Sequence, residues 1–454
     1  MASITKRGNS YRIKVSCGYD IYGKQIVHTM TWKPDKDMTQ KQAEKEVEKQ
    51  AIYFEDKCLK GLYSAKTLKF IDFSEQWLKE YAQKQLKAKT NARYTEMLKR
   101  INAEIGHIRL DKLQPINIIQ FYNKLSEEGE RADIKYKSNI DLLPLILSKS
   151  ETKTSFANTC NISIRTLNNA LKGYNVSHIT AQQISNTLNI PLQELFSQTG
   201  KTTLAPKTIQ YYHRLLSSML QTAVQWQLIP DNPCQRVKPP KAEYKEGRFL
   251  QDTEVIDLFK HLDKEPLQYK AMITALIYTG MRRGELLGLK WSDIDFKNKT
   301  IEIKRTILYL PSKGIFEDTT KTDTSKRVIK VADVVLNLLQ EHKKQQNINK
   351  LKCGDLWKDN NFIFTAWDGS PFLPDTLTSW FSKFIKKNNL PGVTIHSLRH
   401  TNATLLIANG VNVTTVSKRL GHATTATTTK IYAHALKTAD EIASDTLQNI
   451  LKAQ

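Results

Sequence analysis

Cysteine is scarce in this chain: five in 454 residues, at positions 17, 58, 160, 234 and 353. The number is odd and no CxxC pair occurs, which excludes a disulfide framework and a thiolate zinc site as readings. The five are expected to be reduced, structural thiols. Long apolar runs are missing as well. No stretch of eighteen apolar residues exists, and the N-terminal MASITKRGNS has no apolar signal core. No membrane association is expected, and the chain is read as cytoplasmic. Acidic residues are in deficit, 45 against 68 Lys and Arg, for a formal net charge of +23. Solubility requires no such excess, and it predicts a polyanionic partner. With 40% hydrophobic and 25% charged residues the chain should fold, and its length calls for about two to four domains.

Residues 1–60 open with short alternating runs, SYRIKVS and KQIVHTMTW, around the turn signal YDIYGK. A charged helical stretch follows from Thr39 and is closed by Gly61. The expectation is a small α+β domain, a three-stranded sheet on one helix. From Met1 to Lys33, six basic residues (Lys6, Arg7, Arg12, Lys14, Lys24, Lys33) stand against Asp20 alone. A basic sheet of this kind can enter a major groove; on these residues alone a merely solvated basic face weighs equally.

Apolar residues recur at three- and four-residue spacing over 66–137 and again over 201–238, which predicts an all-α domain in two halves. Residues 138–198 interrupt it. There Ser163 can cap a helix running to Leu171, Gly173 can end it, and Thr180 can cap the next. With a tight turn at 160–162, the block reads as an all-α insert of the phage-repressor helix-turn-helix type. Its reading helix would carry Arg165, Thr166, Asn168 and Asn169, all usable base readers. Four basic residues against three acids over 141–200 are few for phosphate binding. DNA contact therefore stands level with a protein-docking or structural role. The proline- and charge-rich RVKPPKAEYKEG reads as an interdomain strap. Beyond it, 245–454 reads as a mainly α domain. TIEIKRTILYL and KRVIKV form one small sheet in it, and the part from Pro374 on is helical.

Six residues of that last domain stand in an order suited to one reaction: Arg282 in TGMRRGE, Lys321 in TKTDTSKR, His396 and Arg399 in HSLRHT, His422 in LGHA and Tyr432 in KIYAH. A phosphodiester repels nucleophiles through its non-bridging oxygens, and the pentacovalent transition state adds charge there. Fixed guanidinium groups answer this, being planar, always charged and able to grip two oxygens. A tyrosine phenol can attack, and the covalent intermediate conserves the bond energy for resealing. Lys321 is the candidate general acid for the departing 5′ oxygen, and His422 can hydrogen-bond the phosphate. Glu285 can orient Arg282 or His396. No metal and no cofactor is called for. His400 and His434 are read as structural.

The strings TGMRRGELLGLKW, HSLRHT, LGHA and KIYAH resemble the tyrosine recombinase family, and specifically the integrases of phages and conjugative transposons. The likeness covers about 245–435. IGHIRLDKLQP and PKTIQYYHRLL resemble that family's core-binding domain, and 1–60 its arm-binding domain. The resemblance puts the catalytic arginines at Arg282 and Arg399, the lysine at Lys321, the histidines at His396 and His422 and the nucleophile at Tyr432. It implies a site-specific recombinase that integrates and excises a mobile element through a 3′-phosphotyrosyl intermediate. Implied partners are duplex DNA at crossover and arm sites, three further copies in a tetramer, an excisionase-type directionality factor and a host DNA-bending protein. The tail KTADEIASDTLQNILKAQ, with Ile442, Leu447, Ile450 and Leu451, would dock on a neighbouring copy. The block at 138–198 departs from the family, which usually has a short loop there. Two other classes share parts of this pattern: a type IB topoisomerase, and a non-catalytic DNA-binding accessory protein. The extra DNA-reading modules argue against the first and the complete set of six against the second.

Overall fold

The computed structural model describes residues 2–19, 22–35, 37–59, 68–127, 134–150, 152–200, 203–243, 247–319, 326–431, 448 and 451. The chain forms two compact units, Met1–Glu243 and Tyr244–Gln454. No described helix is long and apolar enough to cross a membrane.

The first unit contains three separate apolar cores. The first lies under an antiparallel sheet of β1 (Ser3–Arg7), β2 (Ser10–Tyr19) and β3 (Gln25–Trp32), followed by α1 (Gln40–Leu59). In β2 the alternation is strict: Tyr11, Ile13 and Val15 are buried while Arg12 and Lys14 face away. The buried set packs on Ala43, Val47, Ala51 and Phe54, one stripe of α1. Cross-strand register sorts the basic residues. Arg7 pairs with Ser10, so it shares the outer face with Arg12 and Lys14. Lys6 pairs with Tyr11, and its ammonium lies 5.9 Å from that ring's centroid. Lys6 is therefore on the face opposite Arg12 and Lys14, a correction to its grouping with them. Lys24 and Lys33 are exposed beyond the ends of the paired segment.

The second core begins with α2 (Phe70–Trp77), which runs through a π-helical turn into α3 (Gln83–Gln85), then α4 (Ala88–Ile105) and α5 (Pro115–Leu125). The insert comes next: β4 (Lys135–Ser138), α6 (Leu142–Lys149), α7 (Lys153–Thr159), α8 (Ile164–Leu171), β5 (Val176–Ser177), α9 (His178–Leu188), α10 (Leu192–Leu195) and β6 (Phe196–Thr199). Then α11 (Pro206–Gln225) resumes the bundle. Proline at the first turn of both α5 and α11 sets helical φ where no N–H is needed. The indole of Trp77, fully buried, donates to the Thr222 hydroxyl at 3.1 Å and so joins α2 to α11 across the insertion.

The insert is not all-α. Its strands form a sheet in the order β5-β4-β6, with Lys135 opposite Thr199 and Ser138 opposite Phe196. It thus begins at about 135 and ends at about 199, and the β4–β6 pair brings its two ends side by side, as an inserted module requires. It carries its own core, including Leu142, Ile146, Phe156, Leu167, Ile184 and Leu195. Ser163 caps α8 by accepting from the Thr166 amide at 3.1 Å. Between α7 and α8 the chain turns through Asn161 at φ 53°, and the Ile162 amide reaches back to the Ala157 carbonyl at 3.0 Å. The cap of α9 is Ser177, which accepts from the Thr180 amide, rather than Thr180 itself.

In the second unit α12 (Asp252–Leu262) and α13 (Leu267–Thr279) come first, then α14 (Arg283–Leu287). Among the described residues there are two small sheets where one was expected. β7 (Ile294–Asp295), β8 (Thr300–Ile303) and β11 (Arg327–Lys330) form one, and β9 (Arg305–Leu310) with β10 (Gly314–Thr319) forms the other. The run TIEIKRTILYL breaks at Lys304 and serves both. The helices α15 (Asp333–Cys353), α16 (Pro374–Lys387), α17 (Ile395–Ala408), α18 (Val413–Leu420) and α19 (Thr425–Ile431) follow among the described residues. Helix α13 is buried almost all round, Ala271 to Ile277 lying within the main core, so its C-terminus is a firm platform.

Candidate active site

The site is built on two left-handed glycines that end helices. Gly280 closes α13 at φ 65° and Gly421 closes α18 at φ 68°. Neither tolerates a side chain. A Cβ on Gly280 would stand 2.5 Å from Leu420 and 2.6 Å from the Asn402 side-chain oxygen, and one on Gly421 would stand 2.9 Å from the Arg327 guanidinium. These close approaches hold the end of α13, the face of α17 and the end of α18 together.

Arg399, on α17 three residues after His396, is buried at 3% exposure and donates from Nη1 to the Gly280 carbonyl at 2.7 Å. Arg282 stands at the start of α14 and is half-exposed. Its Nη1 donates to Glu285 Oε1 at 2.7 Å, its backbone amide to Glu285 Oε2 at 2.9 Å, and its Nη2 to the Gly421 carbonyl at 3.4 Å. Arg283 turns elsewhere, to the Pro374 carbonyl and Asp375 on α16, so the two arginines of TGMRRGE divide between site and scaffold.

Glu285 is buried and also accepts from Arg327 Nη2 at 2.9 Å. Burial raises the pKa of its carboxyl, but Arg327 and then Arg282 outweigh that and hold it below the ordinary value. The carboxylate is therefore charged at neutral pH and fixes both arginines. Arg327, the first residue of β11, donates from Nε to the Arg419 carbonyl at 2.7 Å and so tethers the end of α18 as well. Sequence reasoning did not single it out. Its signal was there in TKTDTSKR, a basic residue entering a strand directly after the Lys321 segment.

His396 opens to solvent on the first turn of α17, its ring edge-on to His400 with centroids 4.7 Å apart. His400, read as structural, is thus a direct neighbour of a candidate. Partial desolvation, then the charges of Arg399 and Arg282, lower the His396 pKa. His422 is half-buried and its Nδ1 lies 2.7 Å from the buried Thr428 hydroxyl. Burial and the Arg399, Arg282 and Arg327 charges push its pKa down to about 4. At neutral pH it is an uncharged imidazole among guanidinium groups.

This has a consequence for stability. A histidine with a depressed folded pKa leaves the unfolded state holding more protons between the two values. Its contribution is fully present above pH ~6.5 and is lost as pH falls toward 4. His396 adds in the same direction. The melting temperature of the wild-type chain should therefore fall from pH 7 to pH 4.5 more steeply than that of His422→Asn. Parallel melting curves would contradict a neutral His422.

Arg282, His396, Arg399 and His422 are thus brought together, with Glu285 behind them. Lys321 and Tyr432 lie outside the described residues, as do His434 and, apart from residues 448 and 451, the C-terminal tail. Arg165, Asn168 and Asn169 lie together on α8, and Arg7, Arg12, Lys14 and Lys24 in the N-terminal sheet region, both parts of the other unit.

Residues 248–439 match the family model described as the phage integrase family, and 69–126 match that of the phage integrase N-terminal SAM-like domain. A XerC-like tyrosine recombinase of Caldanaerobacter subterraneus is 31% identical over 291 residues, covering 60% of this chain and 74% of that protein. The chain belongs to the phage integrase family of tyrosine recombinases. It is a tyrosine-type site-specific recombinase, of the integrase kind that moves mobile elements. The ICEBs1 integrase of Bacillus subtilis is 28% identical over 55% of this chain and 68% of its own length. The Tn1549 transposon integrase, solved with a circular-intermediate DNA, shares the fold at a TM-score of 0.57 and 18% identity, covering 84% of this chain and 100% of that one.

Proposed function

We propose that this recombinase cuts and rejoins duplex DNA at paired crossover sites through Tyr432, integrating and excising a mobile element. The convergence of Arg282, His396, Arg399 and His422 on the Gly280 and Gly421 turns carries the reading. It makes a cationic pocket with a neutral imidazole in it. Arg282 and Arg399 hold the two non-bridging oxygens of the scissile phosphate. His422 accepts a hydrogen bond from the Thr428 hydroxyl at Nδ1, keeps its own proton on Nε2 and donates a hydrogen bond from it to the phosphate. The Tyr432 oxygen attacks phosphorus and its proton passes to the neutral His396. The bond to O5′ breaks, and Lys321 protonates the departing oxygen, leaving a 3′-phosphotyrosyl link and a free 5′-hydroxyl. Attack by the partner strand's 5′-hydroxyl reverses these transfers and reseals. Glu285 and Arg327 position the pocket without touching DNA.

The remaining parts serve recognition. Residues 66–134 with 201–238 bind the crossover DNA, and the N-terminal sheet presents Arg7, Arg12 and Lys14 to arm sites. Lys24, at the start of β3's hairpin, is exposed and can add a phosphate contact. The α7–turn–α8 unit is a helix-turn-helix. Four copies join two duplexes through a Holliday junction in the bacterial cytoplasm, aided by a directionality factor and a host DNA-bending protein.

The test is a plasmid with two directly repeated cognate sites beside a supercoiled plasmid with none. Excision of the intervening circle with no relaxation of the second plasmid is the expected result. Relaxation of both, without excision, would mean a topoisomerase.

A further inference from the structure

The insert offers a surface that the recombinase chemistry does not use. Helix α8 is eight residues long, and the side chains it buries, Leu167 and Ala170, lie on one side with Leu171 half-buried beside them. At 100° per residue, Arg165, Asn168, Asn169 and Lys172 fall on a single outward arc of about 100°. None of these four side chains makes a hydrogen bond or ion pair with any described residue, whereas Arg109, Arg236 and Arg248 elsewhere in the chain are all ion-paired. No Asp or Glu occurs between Glu151 and Glu194, so no carboxylate within that span repels a phosphate. Few as its charges are, those on the arc are all of one sign.

We propose that α8 enters a DNA major groove and reads bases through Arg165, Asn168 and Asn169, with Lys172 on the backbone. The chemistry fits that code: a guanidinium can bridge the O6 and N7 acceptors of guanine, and a side-chain amide can bridge the N6 donor and N7 acceptor of adenine. The turn between α7 and α8, sealed by the Ile162-to-Ala157 hydrogen bond, fixes α8 against its partner helix with that arc outward. A protein partner is the poorer fit. Protein-docking surfaces favour aromatic anchors and shed charge at their centre, and this arc has two cations, two amides and no aromatic ring. This inference rests on the recombinase reading only for where the bound DNA lies, beside the crossover segment.

The experiment uses the full chain carrying Tyr432→Phe on a duplex with the element's joined ends and flanking DNA, probed with hydroxyl radicals. It compares the unaltered insert with Arg165→Ala plus Asn169→Ala, both exposed positions. A third form replaces 139–195 by Asn-Gly, which joins the register partners Ser138 and Phe196 as a hairpin. A protected patch beside the crossover segment that disappears in both altered forms, with affinity for the duplex lower by about 10–100-fold, is expected. The same footprint and affinity in all three would overturn the proposal. Absence of crossover protection in the unaltered insert would sink the recombinase reading, and a patch that depends on α8 would uphold this inference even then.

Discussion

Arg399→Lys is expected to slow strand cleavage by about 10²–10³-fold while leaving DNA affinity within about threefold. The guanidinium is buried and already spends Nη1 on the Gly280 carbonyl at 2.7 Å. Its planar fork can offer a phosphate further N–H donors in a fixed geometry. A lysine keeps the charge but has one ammonium, which cannot hold the carbonyl and also span a phosphate oxygen in the same geometry. The missing donor matters most where charge builds up in the transition state, so the rate of cleavage should fall and binding should not. Single-turnover cleavage of a cognate duplex measures it. A rate within about fivefold of wild type would show that Arg399 is a scaffold residue.

Glu285→Gln should lower the stability of the second unit by about 3–5 kcal/mol. Glu285 is 3% exposed and bonds both Arg282 and Arg327, the latter with only 7% of its side chain exposed. Glutamine keeps the shape and one acceptor but removes the charge, leaving the Arg327 guanidinium buried without its counter-ion. For a unit of this size that corresponds to a fall in melting temperature of about 10 °C. Glu285 is held below the ordinary carboxylate pKa, so its contribution is present above that value and is lost as pH falls through the folded one. The deficit should therefore shrink as pH falls below the ordinary carboxylate range. A melting temperature within about 1 °C of wild type at pH 7 would mean that Arg327 finds compensation elsewhere.

What was legible in the sequence and what was not follows from the range of the interactions. The Ser163 cap, the end of α8 at the left-handed Gly173 and the turn before α8 are local, written within four or five residues. Among the strings that lie in the described residues, TGMRRGE and LGHA were legible because each straddles a helix end, and HSLRHT because it opens α17. Pairing at a distance was not. Strands β4 and β6 lie about sixty residues apart and are four residues each, too short to show alternation, so the insert read as all helix. Lys6 was grouped with Arg12 because the order of residues does not reveal that Arg7, rather than Lys6, pairs on the outer face. Arg327 looked like one more surface cation until its partner Glu285, forty-two residues away, was seen to be buried beside it. The same holds for Thr428, which sits in a run of threonines and is the one that meets His422. The two hydroxyls Ser177 and Thr180 lie three residues apart, and only the fold decides which of them caps.

The central claim is that Tyr432 forms the covalent bond within this pocket. The most direct measurement uses a duplex nicked next to the crossover position, so that the cleaved strand diffuses away and the intermediate is trapped. Wild type and Tyr432→Phe are run in parallel on a denaturing gel. A protein–DNA band with wild type, attached at the 3′ phosphate and absent with Tyr432→Phe, is the predicted result. A band of equal strength with Tyr432→Phe, or none with wild type on a duplex that it binds and recombines, would contradict it.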